Sequence, residues 1–333
     1  MIHTGASSRA RAAALGGVDV ATLDAVAAAA REGLLGRRKH LPPWLLYDER
    51  GSELFDEITR LPEYYPTRTE RAILARDAAA IVSTAGMPLE IVELGSGSAE
   101  KTELLLAELS AHQRHVTYTP VDVSPTALDA AAERLRRLPR VTVRPLVARY
   151  PDELGLLHAP AAARRLVLFL GSNIGNYDPA GARALLAGVA RSLRAGDALL
   201  LGADLRKPAS VLVPAYDDAR GVTAAFNLNL LVRLNRELGA DFDVARFRHV
   251  ARWNARRSRM EMFLESTARQ RVVIAALGAA VTFARGERIH TESSYKLTKT
   301  AIRLLLARAG FRVEARWEDA RRWFAVTLAR RVS

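Results

Sequence analysis

Five apolar runs organise the middle of the chain: Leu89–Leu94, Val116–Val121, Val141–Val147, Leu166–Leu170 and Ala198–Ala203. Continuous runs of this length predict strands buried on both faces. Between them, Lys101–Leu109, Ala127–Leu135 and Ala182–Leu193 carry apolar residues at helical spacing. The alternation predicts βαβ crossovers and a parallel sheet. Past Pro208 the rhythm breaks. A long helical pattern over Val222–Leu238 is closed by Gly239, and Arg259–Leu264 and Val272–Phe283 then predict antiparallel strands. After Lys296 the chain turns helical through Leu306, and Phe311–Arg316 with Phe324–Leu328 supply a closing strand pair.

This order predicts an α/β fold, a doubly wound Rossmann-like sheet formed by residues 69–206 and 297–333 and interrupted by an insertion at 207–296. Residues 1–68 are expected to join the insertion as a second, discontinuous lobe. Open sheets of this kind bind ligands at the carboxyl ends of their parallel strands, so a substrate cleft is expected there.

Composition narrows the chemistry. The 333 residues suffice for one large or two ordinary domains, and the absence of cysteine excludes disulfides, thiolate metal sites and thiol nucleophiles. The seven histidines show no metal-ligand spacing, and no metal is expected. The net charge of +13 raises the question of nucleic acid. The arginines are dispersed through helical segments such as Ala132-Glu133-Arg134-Leu135-Arg136-Arg137, and aromatic interleaving for base stacking is missing, so no nucleic-acid partner is expected. No apolar run reaches bilayer length and Met1–Ala14 has no apolar core of a signal peptide. A cytoplasmic protein without membrane contact is therefore expected.

The stretch Glu93-Leu94-Gly95-Ser96-Gly97-Ser98-Ala99-Glu100-Lys101 follows the first apolar strand, and Asp122 closes the second. Glycines let the backbone turn sharply and approach a ligand, and an acid at the end of the next strand can grip a ribose diol. Glu100 stands where a dinucleotide fingerprint needs its third glycine, which disfavours NAD and FAD. S-adenosylmethionine, a nucleoside with no pyrophosphate, needs fewer glycines. A plain turn in an αβ core accounts for the same residues.

Three polar clusters lie outside the core pattern. Tyr47-Asp48-Glu49-Arg50-Gly51-Ser52 and Leu61-Pro62-Glu63-Tyr64-Tyr65-Pro66-Thr67-Arg68-Thr69-Glu70 are aromatic and loop-like. Their tyrosines either pack or present a hydroxyl and ring face to a cleft, and Thr69 is a candidate cap for a following helix. Gly171-Ser172-Asn173-Ile174-Gly175-Asn176 follows the fourth strand. Asn176 there is either a turn cap or a group that donates and accepts toward an amino acid's carboxylate and amine. Glu292 and Ser294 stand two apart and share one face of an extended segment, where an acid beside a hydroxyl suits a ring with two nitrogens. An exposed strand end is the alternative.

With Phe226-Asn227-Leu228-Asn229-Leu230-Leu231 and Ile289-His290-Thr291-Glu292-Ser293-Ser294-Tyr295-Lys296, these motifs in this order resemble the histidine Nα-methyltransferases of ergothioneine biosynthesis. The resemblance implies a class I methyltransferase sheet with S-adenosylmethionine as cofactor, and an enzyme that trimethylates the α-amine of L-histidine to hercynine; a monomer is expected. Methyltransferases for other aromatic amino acids belong to the wider family, and a nucleic-acid methyltransferase is a more distant alternative. Matched residue by residue, it implies Gly95, Lys101 and Asp122 as cofactor contacts, with Tyr47 near the reacting methyl. Asn176 and Tyr216 are implied at the substrate's carboxylate and amine, with Gly171 beside them. Tyr64, Glu292, Ser294 and Met262 are implied around the imidazole. Arg149 and Tyr150 stand where the family has Asp-Phe beside the adenine, and arginine has no acceptor for the adenine amino group.

Overall fold

The computed structural model describes residues 20–148 and 163–332. In chain order its main elements are α1 (Val20–Leu35), α2 (Glu49–Thr59), α3 (Tyr65–Ala85), β1 (Leu89–Leu94), α4 (Thr102–His112), β2 (Val116–Asp122), α5 (Pro125–Leu135), β3 (Val141–Val143), β4 (Leu146–Val147), β5 (Arg164–Phe169), α6 (Pro179–Ser192) and β6 (Ala198–Asp204). There follow α7 (Ala209–Leu212), α8 (Val222–Leu238), β7 (Phe247–Asn254), β8 (Arg259–Ser266), β9 (Gln270–Ile274), β10 (Ala279–Phe283), β11 (Arg288–Tyr295), α9 (Lys299–Arg308), β12 (Phe311–Glu318) and β13 (Phe324–Arg331).

The chain forms two compact units. The larger comprises residues 59–215, 253–260 and 293 onward. Its sheet runs in the order β12-β13-β6-β5-β1-β2-β3, with β4 also pairing β2. Strands β3, β2, β1, β5 and β6 are parallel, and β13 pairs antiparallel with both β6 and β12. Strand alternation feeds two cores. Leu166, Leu168, Ala198 and Leu200 pack on one face with Ile73, Leu74 and Ile81 of α3 and Leu105, Leu106 and Leu109 of α4. Val167, Phe169, Leu199 and Leu201 pack on the other with Leu185, Leu186 and Val189 of α6 and Ile302 and Leu306 of α9. Burial on both faces explains why these strands read as unbroken apolar runs. The expected doubly wound α/β sheet is present, including its closing strand pair.

Two local expectations need correction. Val141–Val147 is not one strand: Pro145, which has no N–H for the ladder, separates β3 from β4. Thr69 does not cap a helix. Pro66, with φ set for the first turn, lets α3 begin at Tyr65, and the Thr69 hydroxyl donates to the Tyr65 carbonyl at 2.8 Å from within the helix. Arg149 and Tyr150 lie outside the described residues.

The smaller unit holds the described residues through Ile58, with 216–252 and 261–292. Helix α8 buries Phe226, Leu230, Leu231 and Leu234, and Gly239 terminates it in the left-handed region at φ +58°. The stretch 272–283 is a hairpin of β9 and β10, and Phe242, Phe247 and Phe283 form an aromatic cluster with centroids 5.3–6.1 Å apart. A further sheet has the order β11-β8-β7.

Candidate active site

At the carboxyl end of β1 the chain turns through Gly95 and Gly97, both at positive φ (+70° and +51°). The Gly95 N–H donates to the Val121 carbonyl at 2.8 Å, tying the turn to β2. Asp122 then accepts from the Gly97 N–H on one oxygen and from the Ser124 N–H on the other, each at 3.0 Å. Its carboxylate is half-buried and oriented by neutral backbone dipoles, and each oxygen keeps acceptor capacity for a diol. A Cβ built on Gly97 meets nothing within 4 Å, so the turn borders open space. A fixed carboxylate beside open backbone fits the ribose of S-adenosylmethionine.

Beneath this edge lies Glu70, a residue the sequence did not single out. It is fully buried on α3, accepts from the Gly171 N–H at 3.0 and 2.8 Å, and pairs with the Lys101 ammonium. One carboxylate thus holds a residue expected at the cofactor and one expected at the substrate. The arrangement requires Gly202 on β6, because a Cβ there falls 1.9 Å from Glu70 Oε1.

After β5, Gly171 (φ +73°) and Ser172 (φ +58°) turn the chain into a 3-10 turn, Asn173–Asn176, that ends on the half-buried Asn176. The Ser172 hydroxyl accepts from the Asp204 N–H at 2.9 Å, fastening this turn to the end of β6. Gly175 lets the turn lie against β11: a Cβ there would stand 2.8 Å from the Tyr295 carbonyl and 3.5 Å from Ser294 Oγ. The neighbour of Asn176 in the chain thereby lies against Ser294. Tyr64, half-buried, stands at the start of α3.

Tyr47, Tyr216, Met262 and Glu292 belong to the smaller unit. Tyr47 packs edge-on against Phe55 and Phe226, each at 5.5 Å between centroids. The adjoining Asp48 accepts from Asn229 Nδ2 at 2.7 Å and pairs with Arg236, fixing this loop to α8. Tyr216 is buried, and its carbonyl lies 2.8 Å from His249 Nε2. Burial lowers the His249 pKa, so its ring is neutral at pH 7, with Nε2–H donating to that carbonyl and Nδ1 accepting from Asn227 Nδ2 at 2.9 Å. Met262 and Glu292 are also buried, and Glu292 shares a face of β11 with Ser294.

Glu93, the last acid of β1, is a second residue the sequence reading passed over. It is buried and accepts from the Thr102 and Tyr118 hydroxyls at 2.7 and 2.5 Å, and burial pushes its pKa up to about 7. Among the described residues, no group of three or more His, Asp or Glu is placed to hold a metal, and no helix is long and apolar enough to cross a membrane.

A parallel sheet in the order 3-2-1-5-6 with an antiparallel strand beside β6, a glycine turn after β1 and a carboxylate closing β2 define a nucleoside-dependent methyltransferase. The chain belongs to the family described as histidine-specific, SAM-dependent methyltransferases, whose model matches residues 26–331. It is 45% identical over 300 residues to the histidine N-alpha-methyltransferase of Mycolicibacterium smegmatis, covering 90% of this chain and 92% of that protein. The protein of the same name from Mycobacterium tuberculosis is 46% identical over 298 residues, covering 89% and 92%. Ergothioneine biosynthesis protein 1 of Schizosaccharomyces pombe is 28% identical over 293 residues, 85% of this chain and 38% of that protein.

Proposed function

We propose that this enzyme transfers three methyl groups from S-adenosylmethionine to the α-amine of L-histidine, giving hercynine in ergothioneine biosynthesis. The observation that carries this reading is the likeness to two histidine N-alpha-methyltransferases at 45–46% identity over about nine-tenths of the chain.

The cofactor supplies an electrophilic sulfonium methyl, and the residues of this chain do the positioning. Asp122 and the Gly95–Gly97 turn take the ribose, and Lys101, steadied by Glu70, takes an acceptor group of the same molecule. Asn176 and Tyr216 hold the substrate carboxylate and amine, with Gly171 beside them. Tyr64, Met262, Glu292 and Ser294 enclose the imidazole. In-line displacement needs a neutral amine, so a proton leaves the ammonium before each transfer, and no covalent enzyme intermediate is required. Orientation of this kind lowers a barrier by about 7–11 kcal/mol. The Tyr47 face stabilises the growing ammonium charge by about 0.5–2 kcal/mol.

Competition among histidine, phenylalanine and tryptophan, followed by mass spectrometry, tests the reading. Histidine is expected to be trimethylated far faster, because sites built around buried hydrogen bonds discriminate by as much as about 10⁴-fold. Glu292→Ala is expected to narrow the gap by losing histidine. Preference for tryptophan in the unaltered enzyme, or no change of ratio in Glu292→Ala, overturns the assignment.

A further inference from the structure

Behind Ser294 lies a buried cluster that the methyl-transfer scheme above does not use. Asp204, at the carboxyl end of β6, and the side chain of Lys296 are both fully buried, and the Lys296 ammonium stands 2.8 Å from Asp204 Oδ2. Asp204 also accepts from the Tyr65 hydroxyl at 2.7 Å and pairs through its other oxygen with Lys207. Lys207 donates in turn to the Tyr65 hydroxyl at 2.8 Å and to the Leu205 carbonyl at 2.6 Å. Two lysines therefore share one carboxylate. Burial lowers the Lys207 pKa to about 8, and Asp204 pairs with the Lys296 ammonium as well. The Lys296 main chain is pinned as well, its N–H donating to the Ser258 carbonyl and its carbonyl accepting from the Ser258 hydroxyl, both at 2.8 Å.

A further contact of this ammonium decides what Ser294 can do. Lys296 Nζ lies 2.9 Å from Ser294 Oγ. An ammonium has three donors and no acceptor, so the serine oxygen must be the acceptor and its proton is directed away from Lys296. A serine is otherwise indifferent, able to donate or accept as its neighbour requires. Here the positive charge behind it disfavours a second N–H approaching the same oxygen.

Resting on the histidine reading above, we infer that Lys296 is a specificity-determining positioning residue that makes Ser294 a hydrogen-bond donor, so that the ring taken is a neutral azole offering an unprotonated nitrogen to Ser294 and an N–H to Glu292. Lys296 touches no reacting atom and acts through Ser294. Asp204 acts one step further back by holding Lys296.

The test isolates the Ser294 contact from that of Glu292. Thiazol-4-yl- and thiazol-5-ylalanine each carry a ring nitrogen without an N–H, at one or the other of the two positions that histidine's nitrogens occupy, and thienylalanine carries none. In the unaltered enzyme the better thiazole is expected to exceed thienylalanine in kcat/KM by about tenfold, the worth of one hydrogen bond. S294A should bring the ratio to about one, and K296M, which no longer holds Ser294 as a donor, should lower it, with S-adenosylmethionine affinity unchanged in K296M. K296M added to S294A should have no further effect on the ratio, because Lys296 acts only through Ser294. K296R, which keeps a cationic donor, should retain most of the ratio. If K296M does not fold, K296Q serves instead, since its uncharged amide both donates and accepts and no longer fixes the serine's direction, which should lower the ratio likewise. A tenfold ratio surviving in K296M or K296Q, or lost equally in K296R, overturns the inference. So does an S294A ratio equal to that of the unaltered enzyme. Failure of the unaltered enzyme to methylate histidine at all is a different result and overturns the substrate reading instead.

Discussion

Asp122 and the pair Glu70 and Asp204 are carboxylates of the same larger unit, and the protein holds them in opposite ways. Asp122 is half-buried and oriented by two backbone N–H groups. Glu70 and Asp204 are fully buried and paired with lysine ammonium groups. A carboxylate that must meet a ligand keeps acceptor capacity and is steadied by neutral dipoles. One that must hold other residues is buried and neutralised, and breaking such a pair leaves an uncompensated charge. Glu93 is a third case: buried with hydroxyl partners, it is neutralised by retaining its own proton as the pH rises toward 7.

The largest effect is expected where a buried pair is broken. Glu70→Ala strands the Lys101 ammonium and the Gly171 N–H, and should cost about 3–5 kcal/mol in urea unfolding while abolishing most of kcat/KM. Glu70→Gln, whose amide oxygen still accepts from Gly171, should lose less. A Glu70→Ala protein as stable as the unaltered one would show that the pairing is incidental.

The Glu93 effect comes next and depends on pH. Its folded pKa is raised, so its stabilising contribution is complete below about pH 4.5 and is lost as pH rises through about 7. Glu93→Gln keeps the acceptor for Thr102 and Tyr118 but cannot ionise. Relative to the unaltered enzyme it should gain up to about 3 kcal/mol between pH 5 and pH 8. Parallel stability profiles of the two proteins across that window would contradict an elevated Glu93 pKa.

Asp122→Ala should leave stability nearly unchanged and weaken S-adenosylmethionine binding by about 1.5–3 kcal/mol, the worth of hydrogen bonds to a charged acceptor. Calorimetry giving an affinity within about twofold of the original would place the ribose elsewhere. The smallest effect is expected for Gly202→Ala, which displaces Glu70 at a cost of about 1–3 kcal/mol. Most of that cost should vanish in a Glu70→Ala background, which leaves only the 3.3 Å approach to the Leu170 Cα.

The same contrast governs what was legible in the chain. Glycines after an apolar strand and an acid closing the next one are local signals, and the turn after β1 with the carboxylate closing β2 was readable from them. Glu70 looked like any charged residue on a helix, because its burial depends on Gly202, which is remote in sequence. Asp204 and Lys207 stood three apart at the end of an apolar strand, as Asp122 does in β2, and that placement was the available clue. Strand β7 was missed for another reason. Its residues are mostly half-buried or exposed, Arg248 and Arg252 reaching out to Glu265 and Glu261, so neither alternation nor an apolar run marked it. Ser294 and Lys296 stand two apart in sequence, yet only the fold shows that the two side chains meet.

His249 grips the main chain at Tyr216 and not its ring. The anchor is therefore indifferent to which side chain stands at 216. On the reading proposed above, a different ring at 216 would meet the substrate while the segment keeps its address, which makes the position a socket for the side chain it carries. Exchange of that side chain is then expected to alter substrate preference while the His249 anchor stays in place.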